Sequence, residues 1–200
     1  INSIAIVYDK EKLGREIKDW SDLWSEDLKG KVAIPDITTT GGPLFLSVAA
    51  DKGGKALKDD KGEAAFKALE ELKPNIVKTY SKSSDLANMF QAGEVTVAVV
   101  VDFAIPTVKK ANSNVVSVVP ESGTYANYNT VNIVKNAKNK ENAYKYVNFR
   151  ISTENQTVKA KSLSEAPVNK DVKLADNEVK TMTYGDIAKR AKTVDFKLVN

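Results

Sequence analysis

The chain has 200 residues, 30 Lys+Arg against 26 Asp+Glu, a net charge of +4 and 42% hydrophobic residues. That composition suits one ordinary globular domain or two small ones and excludes a disordered polypeptide. With neither Cys nor His, the chain cannot build a thiol nucleophile, a His-based triad or a His/Cys zinc site, and no apolar run has the length of a membrane span.

The chain opens Ile1-Asn-Ser-Ile-Ala-Ile-Val-Tyr8, without an initiator Met and already inside an apolar run. This predicts a strand over 4–8 and a processed or partial polypeptide. Ser21 is the expected N-cap of a short helix to Leu28, with Trp20 and Trp24 on one face if it starts a residue early. A strand over 32–34 ends at Pro35. The polar loop Asp36–Gly42 then feeds an apolar helix, with Pro43 at its first position and Gly53-Gly54 as its stop. An amphipathic helix is predicted over 63–73, a strand over 76–80, and a helix from Ser83 or Ser84 to Ala92. Val95–Val101 is nearly continuous Val, the pattern of a strand buried on both faces. A helix over about 104–111 and a strand over 115–119 follow.

Next come a strand over 128–134, a helix from Asn139 to Ile151 and a helical continuation over 153–161. Here the charge changes sign: residues 1–134 carry 16 basic and 18 acidic side chains, residues 135–200 carry 14 and 8. The lysines are spaced singly, as at Lys135, Lys138, Lys140 and Lys145, and only Arg150 and Arg190 join them. A nucleic-acid groove interleaves arginine with aromatics, so the expectation is a solvated surface and no nucleic-acid partner. Beyond Pro167 the pattern weakens. Strands alternating with helices predict an α/β layer structure with a largely parallel sheet.

Phosphate-loop, dinucleotide and Ser-x-x-Lys signatures are absent. The run Asp59-Asp60-Lys61-Gly62-Glu63 lacks the alternating ligands of a calcium loop. No cofactor and no metal are expected. Three places could hold a small solute. The loop Asp36–Gly41, with Thr38, Thr39 and Thr40, joins a strand end to a helix start, where N–H groups are unpaired; its plainer reading is a capping loop. Asp102 follows the Val-rich strand, and otherwise caps the next helix. Tyr125–Asn129, with Tyr128 and Asn129, offers aromatics and amides, or is a surface loop with anchoring tyrosines.

Trp20-Ser-Asp-Leu-Trp24 and Leu28-Lys-Gly-Lys-Val-Ala-Ile-Pro-Asp36, then Thr130-Val-Asn-Ile-Val-Lys-Asn-Ala-Lys-Asn-Lys-Glu-Asn-Ala-Tyr-Lys-Tyr-Val-Asn-Phe149 and Ala166-Pro167-Val168-Asn169-Lys170, resemble bacterial ABC-transporter extracellular solute-binding proteins. The spermidine/putrescine-binding-like branch is the part of the family they resemble. The resemblance implies a periplasmic-binding-protein-like (type II) architecture of two α/β lobes. Residues 1–127 would form the second lobe, 128–172 the return strand and helices of the first, and 173–200 a segment heading back to the second. It implies a non-enzymatic importer component, extracellular or periplasmic and membrane-anchored as a lipoprotein in full length. Its partners would be a small polar solute and the ABC permease. The chain would be a fragment, covered by missing first-lobe residues or by a second copy.

Carried onto this sequence, the ligand-facing places are Asp36, Thr38, Thr39, Thr40, Gly41, Asp102, Tyr128 and Asn129. Polyamine binders place carboxylates in the loop and before the return strand, because each desolvated ammonium needs an anionic partner. Here those places read Thr-Thr-Thr-Gly-Gly and Asn129, which suits an anionic or zwitterionic solute. The rivals are the ligand-sensing domain of a bacterial transcription regulator, an enzyme using Asp36 with Asp102, and a fragment that has lost binding.

Overall fold

The computed structural model describes residues 1–199. Its strands are β1 (Asn2–Asp9), β2 (Val32–Pro35), β3 (Ile76–Tyr80), β4 (Val97–Val101), β5 (Val115–Val118), β6 (Thr124–Asn127) and β7 (Ala191–Thr193). The longer helices are α1 (Gly41–Lys52), α2 (Glu63–Leu72), α3 (Ser83–Gln91), α4 (Ile105–Ala111), α5 (Lys140–Ile151) and α6 (Thr153–Leu163). The sheet runs β3-β2-β4-β1-β6-β7, with β5 also beside β1.

β1 is buried along its whole length and splits its side chains between two layers. Ile4, Ile6 and Tyr8 pack with Trp20, Leu23, Leu44, Phe45 and Leu72 on one face. Ala5 and Val7 pack with Leu86, Phe90, Ile105 and Val108 on the other. β4 divides in the same way, with Val97, Val99 and Val101 in the first layer and Ala98 and Val100 in the second. A period of two with both sets apolar is what a central strand needs when helices cover both faces. α1 and α2 supply the first cover, α3 and α4 the second.

The sheet is largely parallel in strand direction, as expected, with one exception at its centre. β2 is parallel to β3 and to β4, and β6 is parallel to β7. β1 runs antiparallel to β4, β5 and β6. The sequence pattern marks buried strands but not their direction, and the central strand is the one that reverses.

Other boundaries move for local reasons. The first expected helix is a 3-10 turn over Trp20–Trp24, capped by Asp19 rather than Ser21. The Asp19 side chain accepts from Ser21 N, and Asp22 returns a bond to Asp19 N at 3.0 Å. α1 starts at Gly41, two residues before Pro43; a proline is tolerated there because first-turn N–H groups have no helical acceptor. The expected strand over 128–134 does not form. Asn127 is the last residue paired to β1, opposite Asn2, and the β-branched residues beyond it have no neighbouring ladder to join. β7, which no pattern announced, closes the sheet edge against β6.

α5 and α6 differ from the rest. α5 buries no residue, and α6 buries only Ala160. Tyr144, Tyr146, Phe149 and Ile151 on α5, and Val158 and Leu163 on α6, are exposed. The 173–199 segment returns to the body: Lys192 pairs with Asp51 at 2.9 Å, and the Arg190 guanidinium donates to the Pro120 carbonyl.

Candidate functional site

Because β2, β3 and β4 are mutually parallel, their carboxyl ends open on one edge of the sheet. A cleft of about 450 Å³ lies there. Pro35, Thr38, Thr39, Thr40 and Gly41 line it after β2, Tyr80, Ser81 and Ser83 after β3, and Val101, Phe103 and Ala104 after β4.

The loop after β2 holds its own shape. Asp36 Oδ1 accepts from Thr38 N at 2.9 Å and from Thr38 Oγ1 at 2.6 Å. Thr39 Oγ1 donates to the Asp36 carbonyl at 2.7 Å. The Thr38 hydroxyl and amide hold the Asp36 carboxyl below its ordinary pKa. The carboxylate therefore serves as the anchor of its own turn. Two glycines let this loop fold onto the helix. A Cβ on Gly42 would sit 2.5 Å from the Asp36 carbonyl oxygen, and one on Gly41 would sit 3.1 Å from Pro35 and 3.2 Å from Val101.

No side chain caps the first turn of α1 or of α3, so N–H groups at both helix starts are left for solvent or a bound group. Tyr80 closes the floor. Its hydroxyl donates to the Val99 carbonyl at 2.7 Å, and burial pushes its pKa up. Phe103 stands at the rim, 41% exposed. Five hydroxyl-bearing Ser and Thr side chains line the cleft, and no carboxylate or ammonium is among its lining residues.

Of the residues that the sequence offered, Thr38, Thr39, Thr40 and Gly41 meet in this cleft, and Asp36 lies just behind them. Asp102 does not face it. Val101 lines the cleft, so the next residue turns the other way, and Asp102 is 2% exposed. Its Oδ1 accepts from Phe103 N at 2.8 Å and its Oδ2 from Thr183 N at 3.0 Å and from the Thr183 hydroxyl. Burial pushes the carboxyl up to about 6, against the lowering effect of those hydrogen bonds. Tyr128 is exposed, and Asn129 lines a separate hollow of about 100 Å³ with Arg150, Gln156 and Glu165. Asp36 and Asp102 are each engaged by donors of their own surroundings and form no acid–base pair.

Ser81 and Phe103 were not singled out by sequence. The available signal was their position, Ser81 one residue and Phe103 two residues after the end of a strand on the same edge. A larger hollow, about 580 Å³, lies at the far end of α1 beside Asp51, Tyr125 and Lys192. Asp51 there is already bonded by the Tyr125 hydroxyl and the Lys192 ammonium, both at 2.9 Å. Its size alone does not make it a site. Among the described residues there is no cluster of three metal-ligating side chains and no helix long and apolar enough to cross a membrane.

Comparison with known proteins finds relatives of this chain. A crystal structure of an ABC transporter from Clostridium perfringens is 58% identical, with a TM-score of 0.91, and the match covers all of this chain and 63% of that one. The spermidine/putrescine-binding periplasmic protein of Escherichia coli is 29% identical over 136 residues, 68% of this chain and 38% of that protein. The γ-aminobutyric acid-binding protein of Pseudomonas aeruginosa is 28% identical over 173 residues, 84% of this chain and 48% of that protein. This chain thus spans less than half the length of these two relatives. The fold is that of part of a two-lobe periplasmic binding protein. The family pattern of bacterial extracellular solute-binding proteins matches residues 1–184, and the chain belongs to that family.

Proposed function

We propose that this chain is part of the solute-binding component of an ABC importer, and that its cleft at the β2–β4 edge holds one side of a small polar solute. One observation carries the reading: three parallel strands end at a hollow rimmed with Ser and Thr hydroxyls and uncapped helix starts. Open α/β sheets hold ligands at such an edge. The family supports the transport role, and no observation favours the regulator alternative or an enzyme.

The lining chemistry favours a zwitterionic or anionic solute over a polyamine. A buried ammonium needs an anionic partner, and the cleft offers hydroxyls and backbone donors instead. A relative that binds γ-aminobutyric acid shows that a zwitterion lies within the family's range. Residues 1–127 form one lobe, residues 128–172 belong to the other, and residues 173–199 return to the first. The exposed apolar side chains of α5 and α6, with the partial coverage of every relative, support that division. Lobe closure on the solute would be the state that the permease reads. The site of action is outside the cytoplasm, with a lipid anchor in the full-length protein.

The test is calorimetry and thermal shift on the full-length protein with γ-aminobutyrate, glutamate, phosphate, putrescine and spermidine. A solute at 100-fold its Kd stabilises by about 2.7 kcal/mol. Thr39→Ala and Thr40→Ala are expected to weaken binding at least several-fold with little change in melting. Tight spermidine binding, or binding indifferent to both substitutions, would overturn the assignment.

A further inference from the structure

The buried Asp102 joins three segments that are far apart in sequence. Asp102 lies in the turn after β4, Ser3 at the start of β1, and Thr183 in the returning segment; they are 2%, 0% and 1% exposed. Thr183 Oγ1 contacts the Asp102 carboxylate on one side and Ser3 Oγ at 2.7 Å on the other. A hydroxyl has one hydrogen, so it serves one of these contacts as donor and the other as acceptor. With Asp102 ionised, the Thr183 hydroxyl donates to the carboxylate and Ser3 donates to Thr183. With Asp102 protonated, the carboxyl donates to Thr183, and Thr183 donates to Ser3. Thr183 keeps both partners in either state; in the second, Ser3 accepts and its own hydroxyl hydrogen no longer points to Thr183. The Phe103 N and Thr183 N bonds are charge-assisted only with Asp102 ionised, but a carboxylate 2% exposed, bonded by neutral donors alone, is the state that burial disfavours.

Phe103 and Ala104, the next two residues, form the rim of the cleft. We infer that Asp102, Thr183 and Ser3 form a proton-operated latch, in which Asp102 is a positioning residue that ties the Met182–Tyr184 segment to the rim when protonated and loosens it when ionised. The functional consequence rests on the cleft being the solute site.

The charged neighbours are few. From β1, the Ile1 α-ammonium is coupled to Asp102. It donates to the Ala166 carbonyl at 2.8 Å; burial lowers its pKa and Asp102 draws it back up, with Glu165 and Lys159 acting on it from beyond. From α4, Lys109 is turned to the Ser117 hydroxyl at 3.0 Å. From the returning segment, the Tyr184 hydroxyl donates to the Val172 carbonyl at 3.1 Å.

The experiment is an NMR pH titration of the 200-residue chain with no solute present. The Asp102 carboxyl carbon, the Phe103 and Thr183 amides and the Phe103 ring are expected to share one midpoint near pH 6. Asp102→Asn removes the step from all of them. Thr183→Val keeps the backbone donor, loses the hydroxyl and moves the midpoint upward. Acetylating Ile1 leaves the step in place, also with a higher midpoint. A step confined to the carboxyl while the Phe103 ring stays silent would overturn the latch, as would a step abolished by acetylation, which would assign it to the α-amino group. None of these readouts needs a solute. If the cleft is not the solute site, the rim still titrates and only the binding panel is silent.

Discussion

Residues 1–127 and the α5–α6 hairpin are built from similar fractions of apolar side chains and use them in opposite ways. In the body, β1 and β4 are buried throughout, and nearly every helix turns its apolar face to them. In the hairpin, α5 buries nothing. Among the described residues, ten of the fifteen exposed large apolar side chains fall between Tyr128 and Val168. The body buries most of its apolar side chains on its own sheet, whereas the hairpin leaves most of its own exposed and buries Ala160 alone, beside Ala166 and Met182. An apolar residue therefore contributes to stability here according to which segment carries it.

Core truncation should separate the two regions most sharply. Leu23 is fully buried among Ile4, Trp20 and Leu44. Leu23→Ala is expected to cost about 2–5 kcal/mol, as buried leucines do. Phe149 is 55% exposed, and Phe149→Ala is expected to change the stability of this chain by less than about 0.5 kcal/mol. Urea unfolding of both variants measures the difference. Equal losses would break the comparison by showing that the hairpin packs on a core of its own.

The returning segment offers a second separation, by pH. The folded-state pKa of Asp102 is raised to about 6 by burial. The folded state therefore holds the proton more tightly than the unfolded chain does. The stability from this group is full below pH 4 and declines as pH rises from about 4 to 6, by at most about 3 kcal/mol. Asp19, Asp27 and Asp36 have lowered pKa values and act in the opposite sense, losing their contribution as pH falls below about 4. Urea midpoints between pH 4 and 6 thus isolate Asp102. Asp102→Asn should flatten that window, and an unchanged slope would remove Asp102 as its source.

Within the body, the loop that shapes the cleft is the tightest place. Gly42→Ala sets a Cβ 2.5 Å from backbone atoms of Asp36 and Ile37. Neither is the far end of a flexible side chain, so the loop must move. A cost of about 1–3 kcal/mol is expected, with loss of the Thr38-to-Asp36 bonds visible in the Thr38 amide shift.

These contrasts show what could be read from residues alone. The Val-rich run at 97–101 and the apolar opening at Ile4–Tyr8 announce central strands, because burial on both faces leaves no polar alternation. The loop Thr38–Gly41 was legible because a strand end, a glycine pair and an apolar helix are contiguous. Asp102, expected among the ligand-facing places, lies buried and off the cleft lining. Its partners Ser3 and Thr183 lie about a hundred and about eighty residues away in sequence, and only tertiary structure tells a buried carboxylate from an exposed one. The strand expected over 128–134 failed for a related reason: β-branched residues promise a strand, but a ladder needs a neighbour.

The smallest expected effect tests the hairpin's independence. The Lys145 ammonium pairs with Glu141 one turn away at 2.7 Å, with both side chains at least 70% exposed. Such a pair contributes about 0.3–0.5 kcal/mol. In a helix locked into a core that amount would vanish within the global unfolding transition. α5 lacks that support, and its N-cap Asn139 makes no side-chain capping bond, so its helicity depends on local terms of this size. Glu141→Gln should therefore speed amide exchange about twofold across 143–151, leave the exchange of β1 and β4 unchanged, and leave the thermal midpoint of the body where it was. Uniform acceleration in both regions would mean that the hairpin opens only with the body, and the division between them would fall.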